Sequence, residues 1–143
     1  MADPASGQQS AILLVEDDNN DAVLAEKALR SAGVSRPIVR VEDGEEAIQY
    51  LAGEGEFGNR DKYPVPGLVL LDLKMPRMGG FEVLDWLRHR PEFANLPVVV
   101  LTGSAFPEDR QKAEGLGAVG YTVKPVEFEE LVAFAKSVGE RLG

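Results

Sequence analysis

The chain of 143 residues contains no cysteine, which excludes a disulfide framework and a thiolate metal site. It has a single histidine, His89, on the polar end of a helical stretch, where it has no helpful context for histidine chemistry. No apolar run approaches the roughly 20 residues of a membrane-spanning helix; the longest are strand-sized. The opening "MADPASGQQS" lacks the charged-then-apolar pattern of a secretion signal and reads as a disordered tail over residues 1–10. Together these absences favour the cytoplasm. Basic charge is also scarce, with 15 Lys and Arg against 24 Asp and Glu and a net charge of −9. Arg77, Arg88 and Arg90 are scattered among acids, so no basic stripe offsets the repulsion from nucleic-acid phosphates. What is present is 44% hydrophobic residues, enough for the core of one domain over residues 11–143.

Short apolar runs alternate with helical patterns along the chain. Ile12–Val15 reads as a buried strand. Asp18 or Asn19 can cap the helix that follows, with Val23, Leu24, Ala28 and Leu29 as its inward stripe and Gly33 as its stop. "IVRVED" alternates like a strand near a sheet edge, and Asp43 with Glu46 resembles a capping box for a helix with Ala47, Ile48 and Leu51 inward. "LVLLDL", "LPVVVLTGS" and "GYTVKP" are three further strands. Between them lie the helical stretches "FEVLDWLRHRPEF" and "FPEDRQKAEGLGA", the second with Pro107 at its start and acids in its first turn. The last helix places Phe128, Leu131, Ala135, Val138 and Leu142 on one face. Five strand–helix alternations imply an α/β fold, a parallel sheet with helices on both faces, and a site beyond the carboxyl ends of the strands.

Polar residues gather at those ends. Asp72 interrupts the apolar run "GLVLLDL", where an idle carboxylate is costly. Glu16 and Asp17 end the first strand, Thr102 the fourth and Lys124 the fifth. Singly, Asp17 and Asp18 suit helix capping, Thr102 a strand end and Lys124 a solvated surface. Their joint occurrence points to a site. Carboxylates crowded together repel unless one is protonated or a cation sits among them. Hard oxygen donors suit Mg²⁺. Metal, ammonium and hydroxyl can together stabilise a transferring phosphoryl group, with the remaining carboxylate as nucleophile. Asp72 is the best candidate.

"LLVEDD", "LVLLDLKMPRMGG", "VVVLTGSA" and "GYTVKP", in this order and spacing, resemble the receiver domains of bacterial two-component response regulators over nearly the whole chain. The resemblance implies a doubly wound, flavodoxin-like five-stranded parallel sheet in the order 2-1-3-4-5. It implies Asp72 as the phosphoacceptor from a sensor histidine kinase. Mg²⁺ would be held by Glu16, Asp17, Asp72 and the backbone carbonyl of Lys74. Thr102, the amide of Gly103 and Lys124 would bind the phosphoryl oxygens, with the Lys124–Pro125 bond cis. Thr102 and Tyr121 would be the switch pair, and Lys74 and Ser104 would tune the lifetime of the phosphorylated state. Such a protein is not an enzyme beyond its own phosphorylation and dephosphorylation. With no output segment after the last helix, a stand-alone regulator is expected.

The glycine- and proline-rich stretch Gly53–Pro66 is long for a connection in a compact domain. "YLAGEGEFGN" resembles the single-domain regulators that serve phytochrome-type kinases, which suggests a bacteriophytochrome as partner. A tolerated surface insertion packed locally by Phe57 and Tyr63 explains the stretch equally well. Phe106, Phe128 and Phe134 could feed a homodimer face made by the fourth helix, fifth strand and fifth helix, although apolar residues at helical spacing are more often core. Among other classes, a flavodoxin-like cofactor binder conflicts with Glu16, Asp17 and Asp18, which would repel a flavin phosphate. A haloacid-dehalogenase-type phosphatase wants a second aspartate where Lys74 stands. A degenerate receiver would not keep the whole set Glu16, Asp17, Asp72, Thr102 and Lys124.

Overall fold

Continuous apolar runs become central strands because both faces of a parallel sheet are covered by helices. In the computed structural model, which describes residues 10–142, the five strands are β1 (Ala11–Val15), β2 (Ile38–Val41), β3 (Pro66–Leu71), β4 (Val98–Thr102) and β5 (Gly120–Val123). All pairings are parallel, in the order β2-β1-β3-β4-β5. The tail expected over residues 1–10 lies outside the described residues except for Ser10. The register sets Val15 beside both Val41 and Leu71, Leu71 beside Val100, and Thr102 beside Val123, so the strands end together at one edge.

Strand side chains alternate between faces. Leu13, Val15, Val69, Leu71, Val98 and Val100 face α2 (Gly44–Ala52), α3 (Gly80–Arg88) and α4 (Pro107–Gly115). Ile12, Leu14, Leu68, Leu70, Val99 and Leu101 face α1 (Asn19–Ser31) and α5 (Phe128–Leu142). The inward stripe of α1 is not the expected one. Ala22, Ala25, Ala28 and Leu29 are buried, whereas Val23 and Leu24 are largely exposed. Small residues line the buried side because α1 packs closely against the sheet and α5. On α2 the expected Ile48 is only half-buried and Tyr50 fills the core instead; on α5 Phe128 is exposed.

Local chemistry sets the helix starts. Asp18 accepts from the Asp21 N–H at 2.9 Å and caps α1. Asp43 accepts from the Glu46 N–H at 2.8 Å, and the Glu46 side chain reaches back to the Glu42 N–H, one residue before the cap. The long stretch after α2 is packed rather than loose. It contains a 3₁₀ turn at Gly55–Gly58, and the rings of Tyr50, Phe57 and Tyr63 meet at centroid distances of 5.1–6.1 Å. Arg60 donates to the carbonyls of Tyr50 and Leu51, both at 3.0 Å, which satisfies the free end of α2.

Candidate functional site

Asp72 follows the last residue of β3, and its N–H donates to the Val15 carbonyl at 3.1 Å. Glu16 follows β1 in the same way, its N–H donating to the Val41 carbonyl at 3.1 Å. The two carboxylates are therefore anchored side by side by backbone pairing. Glu16 is 3% exposed and Asp72 5%, while Asp17 is exposed. One carboxylate oxygen from each of Glu16, Asp17 and Asp72 lies within 4.8 Å of the other two. This set of hard oxygen donors fits a divalent cation.

Lys124 enters from the end of β5. Its Nζ lies 2.8 Å from Glu16 Oε2, 3.0 Å from Asp72 Oδ2 and 2.7 Å from Asp21 Oδ2. Burial works against the ammonium, but the contacts with Asp21, Glu16 and Asp72 outweigh it and raise its pKa. Burial pushes the Glu16 carboxyl up to about 7, with the Asp72 charge adding to the effect, while Lys124 and the Asp18 N–H pull it back. One ammonium among four acids leaves a surplus of negative charge at the sheet edge, which a cation would offset.

Thr102 ends β4 and is fully buried. A side chain at Gly103 would meet open space, so the backbone there is accessible. Lys74 donates its N–H to Asp72 Oδ1 at 3.2 Å. Its ammonium turns away, to 3.7 Å from Asp109 Oδ2. Ser104 Oγ donates to the same Asp109 oxygen at 2.5 Å. Tyr121 is buried, and its hydroxyl donates to the Ser104 carbonyl at 2.9 Å. The expected cis bond before Pro125 is not found: every described peptide bond is trans. Trans is the lower-energy form even before proline, by about 0.5–1 kcal/mol. The Lys124 N–H donates to the Thr102 carbonyl at 2.7 Å and three carboxylates draw in its ammonium, so the side chain is aimed inward without a cis bond.

Three contributors were not singled out in the sequence. Asp21 is the third partner of Lys124. Arg40 of β2 binds the carbonyls of Glu16 at 3.0 Å and Asp17 at 3.1 Å, and Asn19 Oδ1 at 2.6 Å, so it holds the acidic turn in place. Arg77, with φ of 62°, pairs with the buried Asp43 and ties the turn after Asp72 to the start of α2. The alternating pattern of β2 could have exposed Arg40 as a strand residue near the β1 end. Nothing local marks Asp21 or Arg77.

A doubly wound α/β sheet with this carboxylate and ammonium cluster at its carboxyl edge defines a flavodoxin-like protein with a strand-end site. The chain belongs to the response regulator receiver domain family, whose profile matches residues 12–136. The response regulator Rcp1 of Synechocystis is 32% identical over 133 residues, 93% of this chain and 88% of Rcp1. The Mn²⁺-bound form of Rcp1 superimposes with a TM-score of 0.79 at 31% identity, covering 90% of this chain and 91% of the other. The phosphorylated cyanobacterial phytochrome response regulator RcpA is 36% identical, with 92% of each chain covered and a TM-score of 0.83. The bacteriophytochrome response regulator RtBRR is 41% identical, covering 95% of this chain and 79% of its own, with a TM-score of 0.78. Among the described residues no helix is long and apolar enough to cross a membrane.

Proposed function

We propose that this receiver domain accepts a phosphoryl group on Asp72 from the phosphohistidine of a sensor histidine kinase. The observation that carries the proposal is the buried Asp72 carboxylate, which shares a 4.8 Å cluster with Glu16 and Asp17 and lies 3.0 Å from the Lys124 ammonium. One Asp72 oxygen forms the new O–P bond as the P–N bond to the kinase imidazole breaks. The bond pair stays on the ring nitrogen, which takes up a proton as it leaves. Lys124, the Thr102 hydroxyl and the Gly103 amide neutralise the phosphoryl oxygens. Glu16, Asp17 and Asp72, with the Lys74 carbonyl, would hold Mg²⁺, which supplies positive charge against the phosphoryl oxygens when bound. Water attack on phosphorus later breaks the O–P bond, releasing inorganic phosphate and the Asp72 carboxylate. Lys74, exposed after β3, and Ser104, buried after β4, both contact Asp109 and tune that step.

Signalling follows from repacking. Added charge on Asp72 draws Thr102 toward it, and Tyr121 holds the turn after β4 through Ser104. Phe106 just before α4, Val123 of β5 and Phe128 of α5 are exposed, which supports a homodimer face there; Phe134 is half-buried against the core and contributes less. The likeness to RcpA and RtBRR supports a phytochrome-type kinase as the donor, and a cytoplasmic location follows from such a partner.

Incubation with a small acyl phosphate and Mg²⁺, followed by intact-mass measurement, should add one phosphoryl group. The adduct should be absent without a divalent ion and absent in Asp72→Asn. Modification that persists in Asp72→Asn would overturn the assignment. Faster phosphotransfer from a phytochrome-type kinase than from an unrelated histidine kinase would support the partner, and equal rates would refute it.

A further inference from the structure

An ammonium has three N–H donors. On Lys124 all three are engaged, by Asp21, Glu16 and Asp72 at 2.7, 2.8 and 3.0 Å. If Lys124 is to bind a phosphoryl oxygen, one of these contacts must open. The three carboxylates are not equivalent. The side chain of Glu16 is 4% exposed, so it cannot be rehydrated if the ammonium leaves it, and Asp72, 5% exposed, carries the incoming phosphoryl group, so the ammonium has to stay beside it. That of Asp21 is 39% exposed, so water can replace the ammonium at little cost. Asp21 also stands on a different element, in the first turn of α1, where its N–H is fixed by the Asp18 cap. Lys124 lines a cavity of about 50 Å³ together with Glu16, Asp21, Asp72 and apolar side chains that include Leu14, Leu70, Leu101 and Leu131. Among the described residues that line it, these three carboxylates are the only polar side chains offered to the ammonium.

We propose that Asp21 is a positioning residue that holds the Lys124 ammonium while Asp72 is unmodified and releases it when a phosphoryl oxygen enters. The proposal rests on the function proposed above. Asp21 acts through Lys124 and touches neither reacting group. It competes with the incoming anion for the ammonium and adds a negative charge that the anion must approach. Removing that charge should therefore help the anion and weaken the cation. If Asp21 were only a solvated acid in a helix first turn, its loss would lower stability slightly and change neither ligand.

The test titrates beryllofluoride, a phosphoryl mimic, at saturating Mg²⁺, and separately titrates Mg²⁺ alone, by calorimetry. In Asp21→Asn, beryllofluoride should bind about threefold to tenfold more tightly, the scale of a part-exposed charged hydrogen bond. Mg²⁺ should bind more weakly. Asp21→Glu should return both constants toward wild type. The rate of phosphorylation by a small acyl phosphate should rise in Asp21→Asn but not when the same change is made in Lys124→Met. Unchanged constants in Asp21→Asn would overturn the proposal, as would a rate gain that survives in Lys124→Met. Weakening of both ligands would mean a disturbed fold instead of a released ammonium, and would also overturn it. If the wild type binds neither Mg²⁺ nor beryllofluoride, the receiver chemistry itself fails and this inference with it.

Discussion

The hydroxyl of Tyr121 lies 2.9 Å from the carbonyl oxygen of Ser104 and donates to it, which fastens β5 to the turn after β4. Ser104 is held a second time, because its Oγ donates to Asp109 in the first turn of α4. Thr102, two residues before Ser104, is fully buried between these attachments. The switch region is thus a small set of hydrogen bonds laid over the end of one strand.

Tyr121→Phe keeps the buried ring and removes one donor. It is expected to cost about 1 kcal/mol of stability, the net value of a typical buried hydrogen bond. For a chain of this size that is a fall of about 2–4 °C in Tm. Thermal and urea unfolding would measure it, and a variant as stable as wild type would show that the contact carries no weight.

Asp43 gives a pH-dependent prediction. Burial alone would raise its carboxyl, but the Glu46 N–H and the Arg77 guanidinium outweigh burial and hold it below the ordinary value of 3.8. A depressed acid stabilises the fold above its unfolded pKa, and that stability is lost as pH falls through the lower folded value. Asp43→Ala removes the α2 cap as well and should cost about 1–2 kcal/mol at neutral pH. In urea titrations from about pH 7 to about pH 3, the gap between wild type and Asp43→Asn should stay constant at first and narrow only in the acid range. A gap independent of pH would contradict the ion pair.

Glycine in α3 answers to close approach. A Cβ on Gly80 would fall 2.5 Å from the Asp72 carbonyl oxygen, so Gly80→Ala must push away the turn that carries the phosphoacceptor. It should destabilise by about 1–3 kcal/mol despite the better helix propensity of alanine. Gly115, where a Cβ meets nothing within 4 Å, is the control. There the same change should be neutral or stabilising by up to about 1 kcal/mol. The denaturant midpoint should fall in Gly80→Ala and stay level or rise in Gly115→Ala.

The aromatic cluster after α2 makes its own prediction. Phe57 meets Tyr50 and Tyr63, each at 5.1 Å between centroids. Phe57→Ala should cost about 1–2 kcal/mol, from the two lost ring pairs and their half-buried area. Hydrogen exchange should speed up across the segment that follows α2 while β1 and β3 stay protected. Uniform exchange across the domain, or none, would count against a locally packed segment.

The five strands and the residues at their ends were legible because they rest on local rules, whereas the order 2-1-3-4-5 came only from the family resemblance. The short apolar runs ending in Val15, Leu71 and Leu101 read as buried strands, and parallel register then carries Glu16, Asp72 and Thr102 to one edge. Helix starts at Asp18 and Asp43 were legible for a similar reason, since capping involves neighbours two or three residues away. Helix faces were less so. The alanines of α1 and the exposed Val23 and Leu24 show that close packing against sheet and α5 overrides a bulk-hydrophobic stripe.

By itself the sequence determined an α/β alternation, five strands, and an acidic and a basic group at the strand ends, because each follows from periodicity or from the cost of placing charge beside apolar runs. Only the tertiary structure decided which charges meet. Asp21 and Lys124 are 103 residues apart in the chain, and Arg77 and Asp43 are 34 apart. Whether such pairs form depends on how α1 docks on the sheet and how the turn after β3 folds over α2. A contact of that kind is set by the packing of whole elements, and no local pattern contains it.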